Sequence, residues 1–185
     1  MRIRSIATGV AVAGALAVSG SVATAATSKS PKQVTIKVSQ KIVMKPNRWI
    51  QDGLRWDRDI YNVTSGATLK VVNTAAGEGP HTFTVVQPKD LPRTAAQTTN
   101  CSICNKLAKA HGADPSSDAP PKFLFLENGV GQATAPEIDR PGDSGVTGEG
   151  KKGESITLKV TAKKGATLTF MCIIHPWMQA KVKVH

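Results

Sequence analysis

In several short stretches of this chain, apolar residues return at every second position. Gln33 to Ser39 sets Val34, Ile36 and Val38 on one face, the two-residue period of a half-buried strand. Ala67 to Asn73 and His81 to Val86 read as two more strands, joined by a Gly-rich loop over Asn73 to Pro80. Between them and the first strand, Lys41 to Tyr61 scatters Trp49, Trp56 and Tyr61 among charges. One or two irregular strands are expected there, with Gln51-Asp52-Gly53 as a turn. Towards the C-terminus the alternation sharpens. Ser155 to Thr161, a turn at Lys163-Lys164-Gly165 and Thr167 to Cys172 form a hairpin, and Ala180 to Val184 alternates again.

From Gln87 to Gly153 the pattern breaks. Thr99-Asn100 offers a helix N-cap, Ile103, Leu107 and Ala108 have helical spacing, and Gly112 is a stop signal, so one short helix is predicted. Asp114 to Pro121 is a Pro/Ser/Asp linker, Phe123 to Leu126 a strand candidate, and Pro136 to Gly153 is rich in Gly and charge. A connection of this length is uncommon without a purpose. Many short strands with Gly/Pro turns and one short helix predict an all-β protein, an antiparallel β-sandwich.

The N-terminus changes the picture. Met1-Arg2-Ile3-Arg4 is basic, Ile6 to Val18 is apolar but built of small residues, and Ala23-Thr24-Ala25 is an A-x-A cleavage signal. Residues 1–25 therefore read as a signal peptide, 26–32 as a flexible lead-in, and 33–185 as a single domain with an insertion at about 87–153. No integral membrane segment is expected once the leader is removed. The product is expected outside the cytoplasm, in the periplasm or cell envelope or secreted. The chain holds 24 Lys and Arg against 13 Asp and Glu, a net charge of +11, and stays strongly basic without Arg2 and Arg4. An exported cation should meet anionic partners: an acidic redox protein, a cell-wall polymer or a lipid surface. Export and an aromatic content of 4% argue against nucleic acid.

Three cysteines sharpen the chemistry. In an oxidising compartment two should pair, and the neighbours Cys101 and Cys104 leave Cys172 over. Cys101-x2-Cys104, with His111 seven positions on, reads as a structural disulfide, a redox-active pair or half of a second metal site. A free thiol in an exported protein needs a reason, and metal ligation supplies one. In CIIHPWM, Cys172, His175 and Met178 stand at C-x2-H-x2-M spacing. Thiolate, imidazole and thioether on one tight loop suit a soft cation, copper above all. Blue-copper electron-transfer sites use two His, one Cys and a weak axial Met. The missing imidazole is assigned to His81, at the head of the run to Val86. Each residue alone has an ordinary structural explanation, as a buried thiol, a loop histidine or a core methionine. The spacing and the order His, Cys, His, Met favour the metal.

These residues resemble the cupredoxins, the type I blue copper proteins. The short loop CIIHPWM is most similar to the amicyanin and plastocyanin branch. The likeness extends over the hairpin from Gly153 to Cys172 and the strand pair from Ser65 to Val86. It implies a Greek-key β-sandwich and one type I copper ion on His81, Cys172, His175 and Met178. It implies an electron portal at His175, with Pro176 and Trp177 in an apolar patch around it. Two positions depart from the family: Thr82 stands where Asn often follows the first His, and Ile173-Ile174 separate Cys from His. The expected function is one-electron carriage between redox partners, with an acidic docking surface on the partner. Copper carriage or storage, or a sensing and docking module, are the rivals. An enzyme is not expected, because only His111 and His185 remain for a second copper and a three-His site cannot be built from them.

Overall fold

The computed structural model describes residues 31–185 apart from 76, 78, 115, 117 and 118. The leader at 1–25 and nearly all of the lead-in at 26–32 lie outside the described residues. The strands run β1 (Gln33–Ser39), β2 (Ile42–Lys45), β3 (Trp49–Asp52), β4 (Arg55–Trp56), β5 (Ile60–Val63), β6 (Thr68–Val72) and β7 (Thr82–Val86). A single 3-10 turn at Pro88–Asp90, helix α1 (Ala95–Thr99) and helix α2 (Ser102–Ala110) follow. The chain then returns to strands: β8 (Phe125–Glu127), β9 (Val130–Gln132), β10 (Glu137–Ile138), β11 (Ser144–Val146), β12 (Ser155–Val160), β13 (Thr167–Met171) and β14 (Gln179–Val184).

Two sheets face each other. One has the order β10-β12-β6-β1-β4 and the other β5-β14-β13-β7-β11-β8-β9. Chain neighbours such as β6 and β7, or β12 and β13, lie in different sheets, the crossing connectivity of a Greek-key sandwich. Most pairings are antiparallel, but β1 with β6, β10 with β12 and β5 with β14 run parallel. Residue alternation reports which face is buried and is silent on the direction of the neighbour. The alternating strands bury what their period selects: Val34, Ile36 and Val38 from β1, Leu69 and Val71 from β6, Ile156, Leu158 and Val160 from β12. Phe83, Val85, Phe170 and Val182 meet them from the other sheet. At Gly145 of β11 the sheets come so close that a Cβ would sit 2.6 Å from Ile156 Cδ1.

The segment expected to be irregular is a regular hairpin. β2 and β3 pair with each other, Gln51 and Asp52 are strand residues, and the reversal is at Pro46-Asn47-Arg48, with Asn47 at φ 57°. In the long connection, α2 forms where helical spacing places it, and Gly112 at φ 71° ends it. Its N-cap is Cys101, one position beyond Asn100: the Cys101 Sγ accepts from the Cys104 N–H. Cys101 and Cys104 are disulfide-bonded.

The helix has a definite seat. Alternation along β13 and beyond sends Leu168, Phe170 and Cys172 into the main core, while Met171 and Ile173 face the other way. There they pack with Val86, Leu126, Leu107 and the disulfide. The residues on either side of Cys172 are thus clamped by the long connection, and Cys172 itself by the sandwich.

Candidate metal centre

The antiparallel register of β13 on β7 carries the end of one strand to the start of the other, so His81 and Cys172 meet although 91 positions separate them. Beyond Cys172 the chain folds back on itself. The Cys172 N–H donates to the Met178 carbonyl at 3.0 Å and the Met178 N–H to the His175 carbonyl at 2.8 Å. This loop brings the second imidazole to the thiol. Cys172 Sγ lies 3.7 Å from His175 Nδ1 and 4.0 Å from His81 Nδ1, and the three donor atoms all lie within 4.8 Å of one another. His81 and Cys172 are fully buried and His175 is half-buried.

Those separations fit one ion. They are long for hydrogen bonds. Bonds of about 2.0–2.1 Å to a His nitrogen and about 2.3 Å to a Cys sulfur, opened between the tetrahedral and trigonal angles, put N and S roughly 3.6–3.8 Å apart. The Nε2 of His81 is buried with no hydrogen-bond partner among the described residues, and its Nδ1 is the nitrogen turned toward Cys172. His81, Cys172 and His175 can hold one copper ion. The centre is cupredoxin-like.

Of the residues proposed from the sequence, the cupredoxin-like group thus gathers His81, Cys172 and His175. Met178 is fully buried on the same loop. No protein-family model and no curated protein matches the chain. Among solved structures it is similar to dithionite-reduced auracyanin from Roseiflexus castenholzii: 17% identity over 84% of this chain and 98% of that one, TM-score 0.45. It is also similar to auracyanin A of Chloroflexus aurantiacus, described as a "blue" copper protein: 19% identity, 83% and 99% covered, TM-score 0.40. A Cu-containing nitrite reductase from Thermus scotoductus matches at 17% identity over 89% of this chain but 25% of that one, TM-score 0.37. With each of these scores below one half, the copper reading stands on the donor geometry.

Electrostatics in the metal-free site follow burial. Desolvation pushes the Cys172 thiol up, against the pull of the Thr82, His175 and Ile174 backbone N–H groups. Desolvation, with the neighbouring His175 adding to it, brings His81 down to about 4 from 6.5. Both shifts keep the two groups neutral, and a cation bound between them would supply the charge that makes the thiol a thiolate.

Thr82 braces the thiol from both sides. Its N–H donates to Cys172 Sγ at 3.3 Å, and its Oγ1 accepts from the Ile173 N–H at 2.9 Å. The departure from Asn therefore keeps a polar tie between the two ligand-bearing segments. The hydroxyl is itself anchored: Thr84 Oγ1 donates to it at 2.9 Å and lies 2.7 Å from Ser144 Oγ, which lies 3.0 Å from His111 Nε2. His111 Nδ1–H donates to the Phe123 carbonyl at 2.7 Å, so both ring nitrogens are engaged in structure. Thr82→Val preserves the shape and strands the Ile173 N–H; a loss of about 1–3 kcal/mol is expected in urea denaturation of the metal-free protein. An unchanged midpoint would show that water replaces the hydroxyl.

Two indoles complete the site. Trp56 Nε1 donates to the Met178 carbonyl at 3.1 Å, with its ring 6.4 Å from that of His81 and 5.5 Å from Phe170. Trp177 Nε1 donates to the Leu54 carbonyl at 3.0 Å and its ring stands edge-on to His175 at 5.4 Å. Each segment thus grips the other. On the outside, Ile174 and Trp177 are 44% and 48% exposed beside His175, whereas Pro176, expected in that patch, is buried.

Proposed function

We propose that the protein is an exported type I copper protein that carries single electrons between redox partners. One copper ion would be held by His81, Cys172 and His175, with the thioether of Met178, buried on the same loop, as a weaker fourth donor. The observation that carries this reading is the buried convergence of two Nδ1 atoms on one free thiol, with one of the imidazoles half-open to the surface. Bound copper supplies a one-electron couple. The chain supplies a donor set that does not move: the loop is closed by its own backbone bonds, clasped by Trp56 and Trp177, and braced by Thr82. Fixed donors keep the geometry similar in both oxidation states, and outer contacts of this kind tune the metal.

Electrons leave through His175, whose ring meets Trp177 and whose apolar surround of Ile174 and Trp177 gives a partner a dry surface to cover. The partner is a redox protein with an acidic face, to which the strongly basic charge left after Arg2 and Arg4 are removed is complementary. Carriage rather than catalysis is supported by the remaining histidines. His111 is bonded on both nitrogens, and His185 lies 3.0 Å from Asn62 Oδ1. Residues 33–185 act as one domain, with 87–153 as an insertion that clamps the Cys172 flanks. Titration of the metal-free protein with Cu(II), read by visible absorption and then by voltammetry, tests the proposal. Expected are one equivalent bound, an intense thiolate-to-Cu(II) band and a reversible one-electron wave. Tight Cu(I) binding without that band would move the assignment to copper carriage.

A further inference from the structure

The β2–β3 hairpin has no use in the metal centre and is exposed at every residue. Its strands pair only with each other, outside both sheets of the sandwich. The register puts Ile42, Met44 and Ile50 on one face, at 59%, 64% and 70% exposure, and Val43 and Trp49 on the other, at 37% and 48%. A bare two-stranded hairpin is marginal in water. Large apolar side chains exposed together mark a surface that something covers. The base is held firmly: Gly53 N–H donates to the Lys41 carbonyl at 3.0 Å, and Leu54, next in the chain, is buried and accepts the Trp177 indole. Lys41, Lys45 and Arg48 stand on the hairpin against one acid, Asp52.

We propose that this hairpin seats the protein on an anionic lipid surface, with Ile42, Met44, Trp49 and Ile50 entering the bilayer interface and Lys41, Lys45 and Arg48 meeting the headgroup phosphates. The two-sided exposure chooses lipid over a protein partner. A protein surface covers one face of a hairpin and leaves the other wet, whereas a bilayer interface surrounds it. An indole with basic side chains around it matches the chemistry of that interface. Each basic side chain near an anionic surface adds attraction. The inference needs no metal, so it stands or falls apart from the copper reading. It would hold the Trp177 end of the copper loop close to the membrane.

The test adds vesicles of equimolar phosphatidylglycerol and phosphatidylcholine to the full chain at physiological ionic strength. Tryptophan emission is expected to shift to the blue, and the larger part of the shift to be lost in Trp49→Phe: Trp56 is already buried, and Trp177, though 48% exposed, stands on the Cys172–Met178 loop and not on the hairpin. Co-sedimentation of Met44→Asp/Ile50→Asp should fall at least about tenfold. Lys163→Gln/Lys164→Gln, which removes two exposed lysines from a distant turn, should change it less than about twofold. Parent-like thermal melting is expected of the double Asp variant, whose sites lie outside the core. If that variant melts early, the emission of Trp49→Phe still decides. Absence of a Trp49-dependent shift overturns the proposal. So does vesicle binding that the Asp pair leaves intact, which would be adsorption by charge alone. A self-associated parent that the Asp pair dissociates, with no vesicle binding, assigns the hairpin to a protein surface instead.

Discussion

Cys172→Ala is expected to abolish the visible band of the Cu(II) form completely and to lower copper affinity by orders of magnitude. The thiol is the thiolate donor of the group with His81 and His175, and the band belongs to the thiolate-to-metal bond. The fold should survive the change. Cys172 is fully buried between strands, and its loss leaves a sulfur-sized void and an unpaired Thr82 N–H, a cost of about 1–3 kcal/mol. The two effects separate in one melting series. Copper at a hundredfold excess over its dissociation constant should stabilise the parent by about 2.7 kcal/mol and the variant hardly at all. Cys172→Ser removes the band equally but returns an acceptor for the Thr82 N–H, so it should melt above the Ala variant. A visible band persisting in either would place the chromophore elsewhere and dissolve the assignment.

The sequence showed the sandwich wherever a strand has one dry face and one wet face. β1, β12 and β14 are legible because burial alternates along them, while β13, buried at four of its five positions, is legible as the strand beyond the Lys163-Lys164-Gly165 turn that follows β12. β2 and β3 are not: with both faces exposed there is no period to read, and Gln51-Asp52-Gly53 passes for a turn although only Gly53 lies outside the strand. The metal donors were legible for a different reason. Three of the proposed donors crowd one loop, and an unpaired thiol in a chain read as exported demands an explanation. What supports them was hidden. Trp56 reaches the site across the sandwich, Thr84 braces Thr82 from two positions along β7, and Ser144 and His111 reach it only through other side chains. No local pattern encodes such pairs. The insertion stood out as too long, but its service to Cys172 depends on Met171 and Ile173 facing away from the thiol, a matter of sheet register.

Acidification of the metal-free protein from pH 7 to pH 4 is expected to remove about 3 kcal/mol of stability through His81 alone. Its imidazole sits at about 4 in the fold and at 6.5 when exposed. Between those values the unfolded chain holds a proton that the folded chain refuses, so stability falls with pH through this window and levels off below it. The interval converts to that energy at 1.36 kcal/mol per unit. His111, also pulled down by burial, adds a loss of the same sign. In a protein of this size the His81 contribution lowers the melting temperature by roughly 6–12 °C. His81→Leu fills the site with a side chain that cannot titrate, so its melting temperature should fall less over the same range, leaving the slope of His111. A parent-like slope in that variant would show that residue 81 does not govern acid unfolding. With copper bound, protons must compete for the same nitrogens, so the metal-loaded parent should resist acid further and lose its colour as it yields.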